Sequence, residues 1–139
     1  MHQSTSSLKQ ELNEDEQVLE TGYEPRTAQK TIHTNCRQNR FNVAVCHRRF
    51  GKTVAAINQL IHSALKCDKK NPQFHYIAPN YTQAKRVAWE YLKDYTRPLG
   101  GVANVAELRV NFLGRQISLH GADNPDSLRG IYSDGCVLD

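Results

Sequence analysis

The triplet Gly51-Lys52-Thr53 sits where a short apolar run gives way to a helical period, and that junction constrains the fold more than any other feature of the chain. Upstream, residues 41–46 (FNVAVC) are apolar and β-branched, the composition of a strand buried on both faces. Downstream, Val54, Ile57, Ile61 and Leu65 recur at helical spacing, which predicts a helix with one apolar side. A strand that turns through HRRFGK into a helix gathers successive peptide N–H groups and the helix N-terminus around one point, and such a point attracts anions. There Gly51 lets the backbone approach phosphates, Lys52 reaches the β- and γ-phosphates, and Thr53 offers a hydroxyl to Mg²⁺. The general pattern G-x-x-x-x-G-K-[ST] has glycine where this chain has Cys46. Either Cys46 takes the turn without glycine's freedom at positive φ, or the loop starts differently.

Further along, Asn71-Pro72 breaks the helix and residues 73–78 (QFHYIA) read as a second strand, ended by Pro79. Tyr81, Ala84, Ala88, Leu92 and Tyr95 share a second helical face, closed by Pro98 and Gly100-Gly101. Residues 108–112 and 116–120 flank a glycine-containing turn, the signature of a β-hairpin, and residues 136–138 begin a last apolar strand. Strands alternating with helices predict an α/β fold with a parallel, doubly wound sheet, to which the hairpin adds antiparallel strands.

Composition narrows the partners. At 139 residues the chain has room for one modest core, less than a complete α/β nucleotidase usually needs, so a fragment is expected. It has no apolar run of about eighteen residues that would span a bilayer and no apolar stretch of a secretory signal at Met1, so a cytosolic location is expected. Cys36, Cys46, Cys67 and Cys136 form no CxxC pair and the six histidines no HxxxH pair, which argues for reduced thiols and against a metal site built from side chains alone. Residues 1–20 hold five acids and one base, and are expected to be a polar tail; with 14 acids and 18 bases in the whole chain, nine acids and 17 bases remain, a charge of +8 on residues 21–139. A basic body suits phosphate-bearing partners, and equally an ordinary solvated surface.

Two further segments carry chemistry. Asp139 ends the apolar run of the last strand, where a carboxylate holds Mg²⁺ in phosphate-loop enzymes. Upstream of the first strand, Tyr23, Pro25, Arg26 and Gln29 admit two readings. A Tyr ring stacks on adenine and a Gln amide matches its N6 and N7 edge, or Pro25 simply opens a helix with Gln29 in solvent.

Taken together, residues 21–139 resemble the N-terminal ATPase region of bacteriophage large terminase subunits. That resemblance rests on YEPRTAQ at 23–29, on the arginine-rich loop RRFGKT at 48–53 without the leading glycine, on YIAPNYTQAK at 76–85 and on GADNPDSLRG at 121–130 before the strand ending at Asp139. It implies an additional-strand P-loop fold, a nucleotide site drawn from Tyr23, Arg26, Gln29, Cys46, His47, Arg48, Arg49, Phe50, Gly51, Lys52 and Thr53, and Mg²⁺ held by Thr53 and Asp139. Lys52 and Arg48 would be catalytic, Arg48 as an arginine finger in cis on the γ-phosphoryl group, although it also suits ground-state phosphate binding or solvent. The resemblance further implies ATP as substrate, double-stranded viral DNA, a portal protein and a small terminase subunit as partners, ring assembly, a downstream nuclease domain and a host-cytoplasmic location. The glutamate that orients the attacking water is expected immediately after the metal-holding acid, so the fragment is expected to hydrolyse ATP little on its own. A helicase-like ATPase shares the loop and the upstream Gln, and a non-enzymatic module with a similar loop is a third reading.

Overall fold

Periodicity in the sequence places most elements, and a computed structural model that describes residues 21–139 shows how they meet. The tail expected over residues 1–20 lies outside the described residues. Helix α1 (Thr27–Gln38) leads to the loop at 47–51 and to helix α2 (Lys52–Lys66), then to strand β1 (Gln73–Ala78). One continuous helical rod follows, made of α3 (Tyr81–Gln83), a π turn (Ala84–Ala88) and α4 (Trp89–Thr96), with a 3₁₀ turn (Arg97–Leu99) at its end. Strands β2 (Val102–Asn104), β3 (Arg109–Phe112), β4 (Arg115–Gly121) and β5 (Gly135–Leu138) complete the chain.

The five strands form one mixed sheet in the order β2-β3-β4-β1-β5. β1 pairs in parallel with β4 and β5, while β2, β3 and β4 form antiparallel pairs, so the expected hairpin is present as β3-β4. Its turn runs through Leu113 and Gly114, both at positive φ.

The core lies on one face of this sheet. Phe74, Tyr76, Ile117, Leu119, Val110 and Phe112 cluster with Ile57, Leu60, Ile61 and Ala64 of α2 and with Ala84, Ala88, Trp89 and Leu92 of the rod. The buried stripe of α2 is thus turned slightly from the one read in sequence, with Leu60 and Ala64 inside and Val54 and Leu65 only half-buried. Each fully buried Leu, Ile or Phe in such a cluster contributes about 1.5–3 kcal/mol of transfer free energy. Arg115 fastens the far end of α2: its Nε donates to Ala64 O (2.6 Å) and an Nη to Leu65 O (3.1 Å), giving two terminal carbonyls a charged donor.

Two expectations need correction. Residues 41–46 are not a buried strand: they pair with no strand, and Phe41, Val43 and Val45 are 83%, 94% and 96% exposed. An apolar β-branched run becomes a strand only where a neighbour offers a ladder, and β5 at this side of the sheet pairs with β1 alone. Nor is the sheet doubly wound among the described residues. The opposite face is crossed by the β4-to-β5 connection, residues 122–134, whose only regular element is a 3₁₀ turn (Pro125–Leu128) and whose Tyr132 carbonyl accepts from His75 Nε2 (2.8 Å). Pro125 and Gly130, with no helical apolar period between them, leave that crossover without a helix to cover the face.

Candidate functional site

Gly51 stands at φ 86°, ψ 32°, and its carbonyl accepts from Ala55 N (3.0 Å), so α2 begins at Lys52, inside the stretch read from sequence as the turn. The preceding turn is closed by Phe50 N donating to His47 O (3.3 Å). The left-handed positions are Arg49 (φ 64°) and Gly51, and Cys46 is not among the positive-φ residues. The loop therefore needs no glycine at its start; its conformational demand falls on Arg49, at a cost of about 1–2 kcal/mol for an L residue in that region.

Helix α1 holds the loop from behind. The Arg26 guanidinium donates to the carbonyls of Arg49 (3.3 Å) and Phe50, and Gln29 Nε2 donates to Gly51 O (3.0 Å) while its Oε1 accepts from Arg26 N (2.9 Å). Three successive carbonyls thus point at α1. In a planar trans peptide the following N–H points the other way, so the amides of Gly51 and Lys52 face away from α1. A cavity of about 330 Å³ is lined by residues 46–54 together with Val87 and Tyr91 of the rod.

Lys52 and Thr53 meet the end of β5 here. Lys52 Nζ lies 2.7 Å from Asp139 Oδ1, and the Tyr76 hydroxyl donates to Asp139 Oδ2 (2.5 Å). The Tyr76 phenol thus bonds the carboxylate that Lys52 faces, and the Thr53 hydroxyl beside it slightly favours the ionised phenol. Partial burial pushes the Asp139 carboxyl up, but the bonds from Lys52 and Tyr76 outweigh it and hold the group below its ordinary range. The same contact raises Lys52, and burial followed by Asp139 raises Tyr76 well above the usual phenol. Asp139 N donates to Ile77 O (2.9 Å), so the sheet ladder itself fixes the carboxylate at the C-terminal edge of the parallel strands, where α/β folds carry their sites.

A hydroxyl and a carboxylate beside a lysine are hard oxygen donors of the kind Mg²⁺ takes, with the remaining positions left to phosphate and water. No group of three or more His, Cys, Asp or Glu side chains suited to a metal ion occurs among the described residues.

The upstream segment sits differently from the loop residues. Tyr23 is buried and does not line the cavity; its hydroxyl donates to His33 Nε2 (2.8 Å), whose Nδ1 donates to Gln59 Oε1 (2.8 Å). Gln29 is only 4% exposed, and both ends of its amide are engaged within the protein. Cys46, His47, Arg48, Arg49 and Phe50 all line the cavity, with His47 and Phe50 edge to face at 5.8 Å. Sequence reasoning missed Tyr76, Val87 and Tyr91. Tyr76 alternates with Phe74 on the core face of β1 and reads as core, while Val87 and Tyr91 are a plain i, i+4 pair with no motif around them.

All four cysteines are free. No helix among the described residues is long and apolar enough to cross a membrane. Comparison with family models, with curated proteins and with solved structures gave no match.

Proposed function

We propose that this chain is the nucleotide-binding part of a viral DNA-packaging ATPase, a terminase large subunit, which binds ATP with Mg²⁺ and couples its hydrolysis to movement of double-stranded DNA into a procapsid. One observation carries the reading: a glycine-lysine-threonine loop at a helix N-terminus lies 2.7 Å from a carboxylate that ends a parallel strand, although Lys52 and Asp139 are far apart in sequence. The loop amides and Lys52 bind the phosphates, Thr53 and Asp139 hold Mg²⁺, and the ion supplies charge neutralisation between the phosphoryl groups. Arg26 and Gln29 keep the loop's carbonyls turned back so that its amides stay aimed outward. Arg48, on the cavity wall, is the candidate for stabilising charge on the transferred phosphoryl group. In the full assembly this ATPase acts with portal protein, small subunit and DNA as a ring in the host cytoplasm.

Thermal denaturation with and without Mg·ATP tests the first step. A ligand at a hundred times its Kd stabilises the fold by about 2.7 kcal/mol. Wild type gains that stability and Lys52→Ala does not; equal behaviour of the two discards the proposal. Hydrolysis stimulated by duplex DNA in preference to single strands separates packaging from helicase action.

A further inference from the structure

The cavity has a second wall that the phosphate chemistry does not use. Val87 and Tyr91 both line it, each 40% exposed, and neither belongs to the loop. A π turn in the rod sets their place: Trp89 N donates to Ala84 O, one residue beyond the α-helical partner, and Val87 lies inside that widened turn. Ala84 and Ala88, fully buried, anchor the turn to the core, so Val87 is held outward on a fixed backbone.

Tyr91 is the outer member of an aromatic row. Its ring stacks on Tyr95 (6.5 Å between centroids, 24° between planes), and Tyr95 meets the buried Tyr23 edge to face at 5.9 Å. Tyr23, itself pinned by His33, thereby braces a ring that reaches the cavity instead of entering it. An aromatic face held in one orientation beside a phosphate-binding loop is a stacking platform for a flat heterocycle.

Resting on the nucleotide reading above, we propose that Tyr91, flanked by Val87, is the nucleobase platform of this site and that the bound molecule is a nucleoside triphosphate held by its base as well as its phosphates. Gln29, whose amide matches an adenine edge, is 4% exposed, with its nitrogen turned to Gly51 O and its oxygen to Arg26 N. Base binding therefore depends on stacking, which tolerates any base because each has a π-face.

Calorimetric titration of wild type, Lys52→Ala, Tyr91→Ala and Tyr91→Phe with Mg·ATP, Mg·GTP and magnesium tripolyphosphate tests this. The expected result is a loss of at least about fivefold in ATP and GTP affinity for Tyr91→Ala, with tripolyphosphate affinity unchanged and Tyr91→Phe close to wild type. Unchanged ATP affinity in Tyr91→Ala overturns the platform while leaving the phosphate site in place. So does an equal loss for ATP and tripolyphosphate, which marks Tyr91 as a support of the loop. Failure of wild type to bind either phosphate compound removes the nucleotide reading and the platform with it.

Discussion

Replacing Gly51 by alanine attacks the loop at its most constrained point. Gly51 has φ 86°, and a Cβ built on it lies 2.5 Å from Gln29 Nε2 and 2.6 Å from Arg26 Nη2. The backbone term is about 1–2 kcal/mol for an L residue in the left-handed region. Both crowded atoms are ends of flexible side chains and will move, but they are the donors that hold the carbonyls of Arg49, Phe50 and Gly51. Moving Gln29 also strands a buried amide, a loss of about 1–3 kcal/mol. Together these predict a destabilisation of about 2–5 kcal/mol, a large share of the 5–15 kcal/mol typical of a domain. Urea denaturation followed by the emission of Trp89, the only tryptophan and a buried one, reads it directly. In a Gln29→Ala background the penalty of Gly51→Ala should fall toward the backbone term, because the Gln29 clash and the stranded amide are gone and only the flexible end of Arg26 must still move. A Gly51→Ala loss under about 0.5 kcal/mol, the range of an ordinary surface change, refutes the latch.

Other outcomes follow from the same contacts. Tyr76→Phe removes a donor to Asp139, so the carboxyl pKa rises toward its ordinary value, measurable by carbon-detected NMR titration; an unchanged midpoint contradicts the Tyr76 contact. Arg115→Ala leaves Ala64 O and Leu65 O without their charged donor and should cost about 1.5–3 kcal/mol in urea unfolding, with a loss under about 0.5 kcal/mol counting against the cap. Burial lowers the pKa of both His33 and His120, so the unfolded chain binds protons first and stability falls as pH drops below about 6.5. His120→Gln should flatten that fall in Tm between pH 7 and about 5, and an unaltered slope rules out its part.

The elements that the sequence announced most clearly are those with local punctuation. Asn71 at positive φ and Pro72 frame β1, and Leu113-Gly114 turns β3 into β4. The run at 41–46 misled because strand composition states only what a segment tolerates, whereas pairing depends on a neighbour that no local pattern reports. Lys52, Thr53 and Asp139 could be picked out because a glycine-lysine-threonine triplet and a strand-end acid are recognisable locally, and the structure brings Lys52 directly onto Asp139, whose carboxylate Tyr76 also bonds. The positions of Tyr23 and Gln29 were not. A ring and an amide serve equally to contact a base or to fasten a loop, and the choice was made by Gly51, Arg26 and Tyr95, residues adjacent only in space. Tyr91 was hidden for the converse reason, since its importance comes from a cavity that exists only once the rod packs against α2.

The central claim is that the loop at 46–53 and Asp139 form one phosphate and Mg²⁺ site. Titration of Mg·ATP into wild type and into Lys52→Ala and Asp139→Asn tests it most directly. The account predicts saturable binding to wild type that requires Mg²⁺, loss of binding in Lys52→Ala, and loss of the Mg²⁺ requirement in Asp139→Asn. Binding that is absent in wild type, or indifferent to both substitutions, contradicts it.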